Sequence, residues 1–515
     1  MIALVSGRVL ARVVSVGALC LLLAACGGGG GGGGGGASTS SGSPSGSSSG
    51  SGSPSVAQIS VNTTGAGAPI VADQIGANLA VWYDFTQAGS AAAVQSLGVK
   101  LVRWPGGSDS DVYHWQTNTG CAGAFVAANT SFDNFVADIV KPGGYDLAIT
   151  LNYGSNAACT GGGDPTEAAA WVAHAKTLGL TGLHWTVGNE VYGSWEYDLH
   201  AVPHDPTTYA NATAGANGYY ALVKAQDPTA KVGVVVAGDG AAWDTTVLAN
   251  APYDFVELHY YAQNPGSEND TTLLTQSPAQ LTALIKTVQS ELAAAGKPNT
   301  PIYLGEFNSV SSNPGKQSVS IVNGLYAGMA LGEVLNDGIP MATWWQAIGA
   351  GCSTGGNNSS TLYGWQSFGS YGLTADNWPN PYGCVGAPSI PLGTPMPSGQ
   401  AMTLASQFAI PGGQMLPVTV PTSLPNVRAY AAKQGAGYAL MLFNLDQANS
   451  VTFTAQMANA TATQFTVNTI TYGKAQYDAS QTNVWTGPVS ASLGVTTTSP
   501  TLTLPPWSMV VVQLK

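Results

Sequence analysis

Two short runs, Trp185-Thr-Val-Gly-Asn189-Glu190 and Ile302-Tyr-Leu-Gly-Glu306-Phe-Asn308, each pass from β-branched and aromatic residues directly into a glutamate. The two glutamates stand 116 residues apart (306 − 190). A strand that buries apolar side chains and then presents a carboxylate at its C-terminal tip is the usual way a barrel builds a site. Two such carboxylates over one cavity suit the cleavage of a glycosidic bond, Glu190 and Glu306 dividing the acid/base and nucleophilic work. A separation of ~5–5.5 Å goes with retention of anomeric configuration and ~6.5–9.5 Å with inversion.

Other residues could serve the same cavity. Arg103 falls at the tip of a second strand-like run, where a guanidinium can hydrogen-bond a carboxylate and hold it ionised. In Glu257-Leu-His259-Tyr-Tyr261 alternation puts Glu257, His259 and Tyr261 on one face, with Glu257 deeper and expected to form a structural bond. Trp82 ends a first run, Trp344 and Trp345 an eighth, and indole faces stack on sugar rings. Trp185 and Trp195 bracket Glu190, and Asn152 ends a third run. Gly106 and Gly107 suit a tight turn beside a ligand.

The elements that must position these residues alternate. Strand candidates are Gly76–Trp82, Val99–Trp104, Asp146–Leu151, Leu183–Val187, Lys231–Val236, Phe255–Tyr260, Pro301–Glu306 and Met341–Trp345. Amphipathic stretches such as Phe132–Val140, Glu167–Leu178, Leu281–Ala294 and Val319–Leu335 lie between them. Eight β/α units predict an α/β fold, a (β/α)8 TIM barrel over residues 56–400. From residue 401 to 515 the texture changes to short alternating strands, and a C-terminal antiparallel β-sandwich is expected. Its candidate strands include Val427–Ala432, Tyr438–Asn444, Val451–Ala455, Thr463–Tyr472, Val495–Leu504 and Met509–Leu514. Gln58–Val61, in the 56–71 stretch, is read as an extra strand available to that sandwich.

Only 8% of the chain is charged and the net charge is −12, so nothing basic is available to pair with phosphate and nucleic acid is excluded as an expected partner. Residues 1–26 read as a lipoprotein signal peptide: Arg8 and Arg12, an apolar run Val13–Leu23, then Leu23-Ala-Ala-Cys26. Small residues before a cysteine resemble the bacterial lipobox, which implies lipidation of Cys26. Residues 27–55, opening with Gly27–Gly36, form a Gly/Ser-rich tether without apolar periodicity. The expected location is therefore the bacterial cell envelope, with a lipid anchor as the chain's attachment to the membrane. Cys121, Cys159, Cys352 and Cys384 remain for two disulfides; three connectivities are open, and nearness favours Cys121–Cys159 with Cys352–Cys384.

With these residues assembled, the chain resembles the clan of retaining barrel glycosidases that carry Asn-Glu after strand four and Glu after strand seven. The resemblance implies that Glu190 is the acid/base, Glu306 the nucleophile and Asn189 a donor to the sugar 2-hydroxyl. It also implies that His259 and Tyr261 line the sugar site, one of them bonding Glu306. Arg103-Trp-Pro-Gly-Gly107, then Tyr113-His-Trp115, is similar to the α-L-arabinofuranosidases of glycoside hydrolase family 51, and Glu306-Phe-Asn308 resembles their Glu-Trp-Asn. Family 39, of β-xylosidases, shares that signature, often with a following serine such as Ser309. Gly305 departs from family 51, which often has aspartate there. The resulting expectation is a retaining glycosidase on polysaccharide or oligosaccharide, arabinofuranosidase-like, needing no metal or organic cofactor. A β-xylosidase or endo-β-glycanase is the alternative within the clan. A non-catalytic glycan-binding surface lipoprotein is the alternative outside it.

Overall fold

The continuous apolar run Lys231–Val236 is the pattern of a strand covered on both faces, as in a parallel sheet flanked by helices. In the computed structural model, which describes residues 56–349, 353–376, 390–482 and 484–515, it is one of eight such strands. These are β1 (Gly76–Asn78), β2 (Leu101–Trp104), β3 (Asp146–Leu151), β4 (His184–Val187), β5 (Lys231–Val236), β6 (Phe255–Gln263), β7 (Ile302–Val310) and β8 (Met341–Trp344). Every neighbouring pair is parallel, and β8 pairs with β1 to close the barrel.

Helices cover the outside, and polar caps set where they start. Pro165–Thr177 follows Asp164, whose side chain accepts from the Thr166 amide, and Pro206–Ala214 follows Asp205, which caps Thr208. Helix Ile321–Asn336 is apolar nearly all round because three layers touch it. Its glycines recur every fourth position. A β-carbon at Gly324 would lie 2.8 Å from the Pro397 carbonyl oxygen, at Gly328 2.7 Å from the Met509 sulfur, and at Gly332 2.4 Å from the Tyr430 ring. This glycine ridge lets helix Pro397–Phe408 and one C-terminal sheet seat directly on the helix, so one apolar core runs from barrel wall to that sheet.

The sandwich has a six-stranded sheet, β9 (Gln414–Leu416), β10 (Val427–Gln434), β11 (Gly437–Asn444), β16 (Ser508–Leu514), β13 (Gln464–Gly473) and β14 (Val489–Thr497) in that spatial order. The four-stranded sheet runs Val418–Thr419, Gln58–Asn62, β12 (Val451–Ala458), β15 (Thr501–Leu504). The N-terminal strand Gln58–Asn62 thus lies in the sandwich, parallel to β12. The single strand expected at Val495–Leu504 is two, because the turn carrying Pro500 separates β14 from β15 and sends them to different sheets. Helix Pro397–Phe408 runs through residue 400, where barrel was expected to give way to sandwich.

Barrel strands differ from expectation at their tips. β1 stops at Asn78, after which the chain bends along the end of β2 through Leu79 and Val81 amides bonded to Arg103 and Pro105 carbonyls. β6 and β7 instead run on together past their expected ends, to Gln263 and Val310. Cys121 and Cys159 form a disulfide, while Cys26, Cys352 and Cys384 lie outside the described residues. Among the described residues no helix is long and apolar enough to cross a membrane.

Candidate active site

Strand parity decides which side chains enter the barrel. Leu101, Ala148, Phe255, Tyr303 and Met341 cluster as an apolar floor inside it. Two residues further along their strands come Arg103, Glu257 and Thr343. On β7 simple parity would turn Glu306 outward, but the register shifts between Leu304 and Glu306, and this bulge turns the carboxylate in. Glu306 is therefore a mid-strand residue of β7, not its last. Gly305 makes the bulge possible, since a β-carbon there would lie 2.2 Å from Glu257 Oε1. The departure from the family 51 pattern at this position thus has a steric reason.

Arg103, fully buried, is the hub of the site. Its Nη1 donates to Glu306 Oε1 at 2.9 Å and Asn78 Oδ1 at 3.0 Å, and Nη2 donates to Asn189 Oδ1 at 2.8 Å. Its Nε pairs with Glu257 Oε1 at 2.8 Å. Burial opposes the Arg103 charge, but Glu257 and Glu306 more than compensate and raise its pKa. Glu257 also bonds Thr186 and His259, which is the structural role expected of it. Tyr261 Oη donates to Glu306 Oε2 at 2.7 Å. Burial and the neighbouring carboxylate keep that phenol protonated.

Glu190 sits beyond β4 in a left-handed conformation, φ 44°, following Gly188 at φ 75°. A non-glycine residue held there costs about 1–3 kcal/mol, and the turn carries the carboxylate back over the barrel mouth. His259 Nδ1 lies 2.7 Å from Glu190 Oε1, and Trp195 Nε1 donates to Glu190 Oε2 at 2.9 Å. His259 Nε2 is 3.0 Å from Glu257, and Nδ1 is 3.8 Å from Glu306. Burial disfavours charge on His259, yet Glu306, Glu190 and Glu257 around it raise its pKa to about 10. Burial likewise works against charge on Glu190, but the bonds from His259 and Trp195 prevail and lower its pKa. His259 and Glu190 are thus joined by a charge-assisted hydrogen bond of 2.7 Å. Oxygens of Glu190 and Glu306 and a nitrogen of His259 all lie within 4.8 Å of one another.

Three neighbours carry no sequence signal. Asn78 fixes Arg103 from β1. Glu196, nearly buried, accepts from Ser108 Oγ at 2.9 Å and Asn189 Nδ2 at 3.1 Å, and burial with nearby Asp111 and Glu190 pushes its carboxyl up to about 9. Asp111 accepts from the Tyr153 and Asn189 amides at 3.1 and 2.9 Å and so ties the ends of β3 and β4 together. The remaining surface is aromatic. Trp345 is edge-on to half-buried Trp82, ring centroids 5.9 Å apart, and a β-carbon at Gly107 (φ 54°) would touch the Trp345 ring at 2.8 Å. Gly106, at φ 95°, completes that turn.

Two expected site residues, Trp344 and Asn152, face elsewhere, as does Trp185, which precedes Glu190 in sequence. Trp344 is one residue out of phase with Thr343 and points away from the barrel axis, fully buried against Phe307 and Tyr326. Trp185 packs outward on Trp171 for the same reason. Asn152 uses both ends of its amide inside the β3 loop, bonding Tyr113 and Ser155.

No family model matches this chain, and no curated protein does at a significant level. Solved structures do match. The GH51 α-L-arabinofuranosidase from Thermotoga petrophila RKU-1 superposes with TM-score 0.67 at 18% identity, covering 89% of this chain and 100% of that one. The GH39 enzyme from Xanthomonas axonopodis pv. citri gives 0.62 at 18%, covering 90% and 97%, and the monomeric β-xylosidase from Caulobacter crescentus CB15 gives 0.62 at 16%, covering 89% and 99%. At these identities the likeness is one of fold: a (β/α)8 barrel carrying a β-sandwich, over nearly the whole length of each neighbour.

Proposed function

We propose that this chain is a retaining glycoside hydrolase, with Glu306 as nucleophile and Glu190 as acid/base. The observation that carries the reading is the convergence of the two carboxylates, with oxygens within 4.8 Å, around one imidazolium. Oxygens that close are in keeping with the ~5–5.5 Å carboxyl separation of retaining enzymes rather than the ~6.5–9.5 Å that leaves room for a water. Arg103 and Tyr261 each donate to one oxygen of Glu306, which orients it. In the first step Glu306 bonds to the anomeric carbon as the glycosidic C–O bond breaks, and the leaving oxygen takes a proton from Glu190. His259 holds that proton next to Glu190 until it is needed. In the second step Glu190 removes a proton from water, the water oxygen bonds to the anomeric carbon, and Glu306 is released.

The solved neighbours named above include an α-L-arabinofuranosidase and a β-xylosidase, and the Arg103–Gly107 motif favours the former as substrate class. Anchoring in the bacterial envelope through lipidated Cys26 is part of the proposal and stands on the sequence of residues 1–26. Hydrolysis of p-nitrophenyl α-L-arabinofuranoside and β-D-xyloside by the protein and by Glu306→Ala tests the reaction. Loss of roughly 10⁴–10⁶-fold in kcat is expected for the variant. Equal rates for the two proteins would refute the assignment.

A further inference from the structure

Where the loop after β8 meets the sandwich, a second cavity of about 770 Å³ opens, away from the carboxylate pair. It adjoins another of about 570 Å³, the two sharing Gln447, Lys474 and Asp478, so together they form a groove running onto the sandwich. The volume is within the usual ~300–1,000 Å³ of ligand sites.

Its lining has a definite chemistry. Tyr363, Trp365 and Trp507 supply aromatic surface, with Tyr363 edge-on to Trp507 at 4.8 Å and Trp365 stacked on Tyr477 at 4.3 Å. The rings are braced from behind: Tyr363 Oη donates to Asp478 at 2.7 Å, Lys474 pairs with Asp478 at 2.6 Å, and the Tyr363 amide donates to Asp270 at 2.7 Å. Trp365 and Tyr363 remain half-exposed on this braced frame, and Gln447 and Gln481 project at the rim. A rigid aromatic face with amide groups at its edge is the equipment for a ring bearing hydroxyls. The charged groups are one lysine and two aspartates, a balance that repels an acidic ligand.

We propose that this groove is a non-catalytic binding site for a neutral oligosaccharide segment, holding a polysaccharide beside the barrel mouth. The glycan class rests on the glycosidase reading above; the existence of the site does not. The loop 353–376 supplies both the groove's Tyr363 and Trp365 and the Tyr371 whose phenol feels the charge of Glu306, so a chain held there lies next to the catalytic face.

The test uses the full chain with Glu306→Ala, run in native gels containing soluble arabinoxylan, against Trp365→Ala and a Gln447→Ala/Gln481→Ala double variant on the same background. Arabinoxylan is expected to retard the parent, and each variant is expected to weaken the apparent affinity by about 5–10-fold, the worth of an aromatic contact. The double variant alters exposed side chains only, so it reads out even if Trp365→Ala fails to fold. With Glu306 restored, both variants should cleave p-nitrophenyl α-L-arabinofuranoside within about 2-fold of the parent while losing rate on arabinoxylan. An unretarded parent, retardation unchanged in the double variant, or polygalacturonate binding as tightly as arabinoxylan would overturn the proposal. Failure of the active chain to cleave any aryl glycoside, with groove-dependent retardation intact, would instead refute the glycosidase reading alone.

Discussion

The interior of the sandwich and the interior of the barrel are built on opposite principles. Between the two sheets, Ile59, Val61, Leu440, Leu442, Phe453, Val467, Val512 and their neighbours form an apolar cluster. Alternation of small and large apolar side chains is enough to hold it, at about 25 cal/mol per Å² of surface removed from water. The upper barrel instead buries the side chains of Arg103, Glu257, Glu306 and His259 together, ionisable groups whose charged forms cost several kcal/mol to desolvate. Mutual pairing offsets that cost only while every partner is present. The sandwich therefore tolerates loss of volume as a local defect, whereas the barrel centre responds to loss of any one charge as a network.

The sharpest break in this comparison is chemical. Glu190→Ala should lower kcat by about 10²–10⁴-fold on substrates with poor leaving groups and far less on activated aryl glycosides, measured as the dependence of rate on leaving-group acidity. Next is Arg103→Met, which removes the guanidinium paired with both Glu257 and Glu306 and leaves His259 as their remaining partner cation. A destabilisation of about 3–5 kcal/mol in urea unfolding, with activity abolished, is expected. Leu440→Ala in the sandwich should cost a similar ~2–5 kcal/mol, yet leave kcat per folded molecule unchanged. If Leu440→Ala lowers kcat per folded molecule, the two interiors are not separable as described.

The smallest effect concerns pH. Glu196 is held protonated in the folded chain, its pKa raised from 4.5 to about 9. A raised folded pKa means that its contribution is full below about 4.5 and is lost as the pH climbs to about 9. Asp111, raised to about 8 by burial, acts in the same direction. The melting temperature should therefore fall from pH 5 to pH 9. Glu196→Gln, which keeps an acceptor for Ser108 and Asn189 but cannot ionise, should flatten that slope by about 2–4 °C per kcal/mol of coupling removed. A slope as steep as in the parent would show that Glu196 is not the proton holder.

How far the chain could be read without coordinates depended on what kind of signal each part leaves. Asp146–Leu151 and Lys231–Val236 stand where expected because an uninterrupted apolar run between turn residues has few alternatives. Glu190, Glu306, Arg103, His259 and Tyr261 were legible because each carries chemistry near the end of such a run. Trp344 was misassigned for a reason also present in the chain: counting by twos from Thr343 puts Trp345, not Trp344, at the mouth. The bulge at Gly305 was not legible, since nothing local distinguishes it from an ordinary strand glycine. Asn78, Asp111 and Glu196 were missed because their roles depend on Arg103, Asn189 and Ser108, which stand 25, 78 and 88 residues away (103 − 78; 189 − 111; 196 − 108) and meet them only when the barrel closes.

The spacing of Glu190 and Glu306 has one direct consequence for the product. Proton NMR of the sugar released in the first seconds of p-nitrophenyl α-L-arabinofuranoside hydrolysis, before mutarotation, reads its anomeric configuration. On the proposed retaining mechanism, in which the sugar is first bonded to Glu306, the α-anomer appears first. The β-anomer appearing first would mean that water attacks the sugar directly, and the arrangement of these two side chains would have to be read differently.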